Sequence, residues 1–147
     1  MKKILSLAVL AVLAAAAILS PLATAAGRVY FIEPANSAAV PEEFTVKMGV
    51  EGMRMQPAGQ LAEGTGHHHL IVDGKPIEAG KPVPTDATHL HFGKGQTETT
   101  LKLAPGKHTL TLQFADGLHQ SYGPGFSDTI SVHVNSPVAA TPTVLEP

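Results

Sequence analysis

The stretch His67-His68-His69-Leu70-Ile71-Val72-Asp73-Gly74 opens on three imidazoles, runs through three aliphatic residues and closes on a turn signal. In an extended segment, residues two apart point to the same side of a sheet, so His67 and His69 share one face while His68, Leu70 and Val72 share the other. Ile71 lies behind the two histidines, so both faces end apolar, as expected of a central strand covered twice. Asp73-Gly74 suits a tight turn, and Gly66 suits a sharp bend just before His67. Twenty residues on, His89-Leu90-His91-Phe92 repeats the arrangement, with the two histidines on one face and Leu90 and Phe92 on the other.

Working outward, the same period-two pattern recurs. Arg28–Glu33 is rich in β-branched and aromatic residues. Phe44, Val46, Met48 and Val50 alternate with Thr45, Lys47 and Gly49, and alternation returns over Thr97–Leu103, His108–Phe114 and Asp128–Val134. Between these runs, Pro34–Pro41, Glu78–Thr88 and the glycine-rich Asp116–Phe126 read as loops. Phe92-Gly93-Lys94-Gly95-Gln96 lacks the spacing of a phosphate loop and reads as a hairpin connection. No stretch beyond residue 26 carries a 3.6-residue period. The fold expected is therefore all-β, an immunoglobulin-like antiparallel β-sandwich of about seven strands, with a small barrel as the alternative.

Some residues read as structural. Met53 and Met55 suit gap filling at a sheet edge better than thioether ligation of copper. His108, after the Ala104-Pro105-Gly106 turn, takes the place of the aromatic that packs back on a corner in such sandwiches. His133 is placed on the solvent side of the last strand.

The 147 residues leave room for one domain. Residues 1–26 have a basic start at Lys2-Lys3, an apolar run from Ile4 to Leu19 and a small-residue Ala23-Thr24-Ala25 site, which together read as a secretory signal peptide cleaved after residue 25 or 26. Residues 27–134 form the expected sandwich domain, and 135–147, with Pro137, Pro142 and Pro147, a Pro-rich flexible tail. Such a protein is periplasmic or secreted. Removing Lys2 and Lys3 from 10 basic residues leaves 8 against 12 acidic, so the exported chain carries about −4. Without a basic cluster, neither nucleic acid nor an anionic membrane surface is an expected partner. Zero cysteines exclude disulfides, thiolate metal sites and thiol catalysis.

What remains for chemistry is histidine. Imidazole is the commonest protein ligand for zinc and copper, and two His-x-His pairs on neighbouring strands bring several ring nitrogens toward one ion. The expected ligands are His67, His69, His89 and His91, with His119 added from the glycine-rich loop, and the expected cofactor is a copper or zinc ion. A hydrogen-bonded histidine cluster and a site for a non-metal ligand are the alternatives. No catalytic motif is present: there is no His-Glu-x-x-His and no Ser/His/Asp arrangement, so no enzyme is expected.

Four segments together, Gly66 to Asp73, His89-Leu90-His91-Phe92-Gly93-Lys94-Gly95-Gln96-Thr97-Glu98, Pro105 to Leu110, and Asp116-Gly117-Leu118-His119, resemble an exported bacterial family catalogued as domain of unknown function 4399. The resemblance runs from about Phe44 to Val134 and implies one exported domain, with no activity attached. Besides a metal ion, other envelope proteins are possible partners. In that second reading the chain is a structural or adhesive β-sandwich module of an envelope assembly, with no metal role.

Overall fold

The computed structural model describes residues 27–137, so the signal-peptide reading of 1–26 and the expected tail beyond Pro137 lie outside the described residues. Among the described residues there are nine strands, β1 (Arg28–Glu33), β2 (Ala38–Val40), β3 (Glu43–Glu51), β4 (Arg54–Met55), β5 (Thr65–Val72), β6 (His89–His91), β7 (Glu98–Lys102), β8 (Gly106–Ala115) and β9 (Ser127–Val134), with one 3-10 turn at Pro124–Phe126. The all-β expectation holds. Among the described residues no helix is long and apolar enough to cross a membrane.

The strands form two sheets. One has the order β1-β3-β7; the other runs β2-β9-β8-β5, and both β4 and β6 lie along the remaining edge of β5. Between them lies a single core, to which the smaller sheet contributes Val29, Phe44, Val46, Met48 and Leu101 and the larger Leu70, Val72, Leu110, Leu112, Phe114, Ile130, Val132 and Val134. These are the inward positions of the alternating runs, and removing their apolar area from water is the main force holding the sheets together. Met53 and Met55 pack against this core as partly buried gap fillers.

The strand count and the pairing both differ from the expectation of about seven antiparallel strands. The two additional strands are β2 and β4, and each pairs parallel, with β9 and β5 respectively. Residues 34–41 read as a loop because Pro34, Asn36, Ser37 and Pro41 dominate their composition. Tertiary bonding overrides that composition: Ser37 N–H donates to Ser131 O (2.7 Å), Asn135 N–H to Val40 O (2.8 Å), and Asn36 Oδ1 accepts from Ser131 N–H (2.9 Å). The expected hairpin at Phe92–Gln96 is instead a crossing between sheets, since β6 pairs with β5 and β7 with β3. Gly66 also departs from its reading. It lies inside β5, where a Cβ would overlap Ala115 O and the Phe114 ring, so it serves close strand approach rather than a bend.

At the other end of β5, the Asp73 carboxylate fastens the turn to β8, accepting from Thr109 N–H (2.9 Å) and pairing with His108 Nδ1 (2.8 Å). His108 Nε2 lies 2.9 Å from Ala104 O, so this imidazole closes the corner as expected. Asp73 takes a left-handed backbone, φ 55, which aspartate tolerates better than most residues.

Candidate metal centre

Every residue of β5 is buried. Its even-numbered face, with His68, Leu70 and Val72, meets the core; His68 lies edge-on to Phe114, ring centroids 5.2 Å apart. Its odd-numbered face carries His67, His69 and Ile71, and two loops lie against it, 73–88 with Gly74 close on Ile71 and 116–123 with the His119 ring beside His67 and His69. The loops are tied to each other by Gly80 N–H to Ser121 O (2.8 Å), Ser121 N–H to Lys81 O (2.9 Å) and Val83 N–H to His119 O (2.9 Å). A single side chain of the sheet also ties both loops to it, adding to bonds such as Thr111 Oγ1 to Gly74 O (3.0 Å) and Tyr122 OH to Thr65 O (2.7 Å). Gln113, beside His69 in register, accepts from Ile77 N–H (2.9 Å) and donates to Gly123 O (3.1 Å).

Three elements bring imidazoles to this covered face. His67 and His69 come from β5, and His91 comes from β6, directly opposite His69 in register. His119 comes from the loop after β8, at φ 65, a backbone that needs support in a residue with a Cβ. Asp116 provides it, its Oδ1 accepting from Leu118 N–H (2.8 Å) and Gln120 N–H (2.9 Å). Gly117 lets the same loop press onto Gln60, where a Cβ would overlap the Gln60 carbonyl.

The four rings turn the same nitrogen inward. His69 Nε2 lies 3.1 Å from His67 Nε2, His67 Nε2 3.2 Å from His91 Nε2, and His91 Nε2 3.1 Å from His119 Nε2. The ring centroids of all six pairs fall between 4.7 Å (His91–His119) and 5.9 Å (His69–His119). The ligating atoms of His67, His91 and His119 lie within 4.8 Å of one another, so these three could hold a metal ion, with His69 behind them against His67. Donors set tetrahedrally about 2.0–2.1 Å from one ion stand about 3.3–3.4 Å apart, close to the 3.2 Å of the His67–His91 pair and the 3.1 Å of the His91–His119 pair.

Burial is graded across the cluster. His67 and His69 are completely buried, while His91 and His119 are only partly covered. Burial, reinforced by the neighbouring His91 and His119 rings, pushes His67 down to about 4. Burial and the surrounding imidazoles push His69 to about 3, and burial with His119 also lowers His91. At neutral pH these three rings are therefore uncharged, the form that offers a lone pair to a metal. The Nδ1 atoms of His67 and His69 are buried and have no hydrogen-bond partner among the described residues.

Four of the five expected ligands thus converge: His67, His69, His91 and His119. His89 does not join them. Its register partner is Ile71, and its Nδ1 lies 2.9 Å from Asp86 Oδ1, which also accepts from Thr88 N–H, Thr88 Oγ1 and His89 N–H. The hydrogen bonds from His89 and Thr88 hold the Asp86 carboxyl far below its ordinary range. Sequence reading missed Gln113, Asp116 and Gly93 as supports of the site. A Cβ at Gly93 would overlap His91 Cε1 and Nε2, so only glycine leaves that ring where it is. The one signal for Gly93 was its place immediately after His-x-His-Phe.

Fold and site together define a class: a two-sheet all-β domain with a buried histidine cluster on the outer face of its larger sheet. Within that class, residues 46–135 match the family described as Domain of unknown function (DUF4399), and the chain belongs to it. No curated protein and no solved structure matches the chain.

Proposed function

We propose that this chain is an exported protein, periplasmic or secreted, that binds a copper or zinc ion through His67, His91 and His119 with His69 as a fourth donor. The observation that carries the reading is the unbroken run of three Nε2 to Nε2 contacts through four rings. A neutral ring nitrogen offers either one proton or one lone pair. In this run the two inner nitrogens, on His67 and His91, each face two neighbours, so three directed hydrogen bonds would ask a single proton or lone pair to serve two partners at both. A cation among the rings is served by all the lone pairs at once. Uncharged imidazole nitrogen suits both zinc and copper, and affinity for such donors rises toward copper along the divalent series.

Elemental analysis of protein purified without chelator or affinity tag tests the reading. About one equivalent of copper or zinc is expected in the native chain, and none in the His67→Ala/His91→Ala variant. Equal metal content in the two sinks the proposal. Export is supported by the basic start, apolar run and Ala23-Thr24-Ala25 site; N-terminal sequencing of the protein from its native host is expected to begin at Ala26 or Gly27, and a chain retaining Met1 contradicts it.

A further inference from the structure

The deep donors of the cluster pose a kinetic problem. His67 and His69 are wholly buried, so a hydrated ion cannot reach them in one step and has to exchange water for imidazole at the rim. His91 and His119 form that rim. One further imidazole stands beside it: His89 lies two residues from His91 on β6 and on the same face, about 6.5–7 Å along the strand. Its side chain is 20 % exposed. Its Nδ1 is engaged by the Asp86 carboxylate, leaving Nε2 without a hydrogen-bond partner among the described residues. Metal-ligating histidines are oriented in this way, one ring nitrogen held by a carboxylate and the other facing the ion. Asp86 is itself fixed by Thr88 N–H (2.8 Å), Thr88 Oγ1 (2.9 Å) and His89 N–H (2.9 Å), so the ring is held firmly although it lies outside the cluster.

Resting on the metal reading above, we propose that His89, positioned by Asp86, is an outer ligand that receives the ion from solvent and passes it to His91. A way station lowers the barrier in both directions and leaves the equilibrium untouched. Its loss therefore slows loading and release by the same factor.

Stopped-flow mixing of the whole exported chain with Cu(II) or Zn(II), and release into excess chelator, reads both rates. In His89→Ala and Asp86→Asn, association and dissociation are each expected to fall about tenfold, their ratio holding within about twofold, while a surface control, His133→Ala, changes neither. Native rates in both variants overturn the proposal. So does a raised dissociation rate at unchanged association, which would make His89 a ligand of the bound state. If the native chain takes up neither ion, the metal reading itself falls; uptake with unaltered variant rates removes only the outer ligand.

Discussion

Two single residues show most directly how position, rather than residue type, sets behaviour here. His68 sits between two proposed ligands yet faces the opposite way, fully buried against Phe114 with neither ring nitrogen bonded. A buried polar atom without a partner costs about 1–3 kcal/mol, so His68→Leu is expected to stabilise the fold by an amount of that order, read as a higher urea midpoint at unchanged slope. A lower midpoint would mean that this imidazole makes an interaction the contacts above do not include. Gly93 has the reverse character. Gly93→Ala is expected to displace the His91 ring and weaken zinc or copper binding at least tenfold while the far-ultraviolet circular dichroism stays native; unaltered affinity contradicts the role given to Gly93. The His-x-His spacing made His67, His69 and His91 legible, because strand alternation alone puts them on chosen faces. It also placed His89 with them. It could not separate His89 from His91, because the difference lies in register, His91 standing opposite His69 and His89 opposite Ile71 where Asp86 holds its ring, and no periodicity encodes either.

On the scale of the strand, β5 concentrates three depressed imidazoles. Burial first, then neighbouring rings, takes His67 and His68 from 6.5 to about 4 and His69 to about 3. Below pH 6.5 the unfolded chain binds protons at these positions while the folded chain does not, so stability rises with pH through this window and is lost as pH falls from about 6.5 toward 4. The corner pair behaves otherwise. The hydrogen bond to Asp73 raises His108, and its contribution is complete below pH 6.5 and lost as pH climbs through the raised value. Burial opposes ionisation of Asp73, but hydrogen bonds from His108 and Thr109 N–H still hold it below 3.8, so its contribution is lost at the acid end. With three groups against one, urea unfolding of the metal-free protein is expected to give a clearly lower midpoint at pH 5 than at pH 7. His68→Leu should shrink the difference, and equal midpoints at the two pH values would contradict the burial argument. Seven of the nine strands were legible, β1 from its β-branched and aromatic composition and the other six from the side-to-side pattern of their residues. β2 and β4 were not, because three residues and two residues are too few to show a period, and their pairing comes from distant backbone groups.

Across the whole molecule, the core between the sheets and the covered outer face form three layers, and only the first two were written in hydrophobic alternation. The third layer is made of loops, closed over the histidines by Gln113, by the bridge of Gly80, Lys81 and Val83 to His119 and Ser121, and by the Asp116 turn. Its composition said loop and no more, since many of its contacts run between backbone groups that any residue carries and the rest through single polar side chains that follow no period. An ion bound in the folded state alone adds RT ln(1 + [L]/Kd), about 2.7 kcal/mol at a hundredfold excess over Kd. Calorimetry with and without zinc is therefore expected to show a melting temperature several degrees higher in the loaded protein, and the His67→Ala/His91→Ala variant is expected to lose that increment. An identical increment in the variant would place the ion elsewhere.

The four converging rings come from β5, β6 and the turn that carries His119, the outermost pair being 52 positions apart. On the export route proposed above, an unfolded chain threading through a translocation pore would present only imidazoles that are neighbours in sequence, never the quartet. Under that proposal the ion would be acquired on the far side of the membrane, by a finished domain, and its availability there, rather than in the compartment of synthesis, would decide what the protein carries.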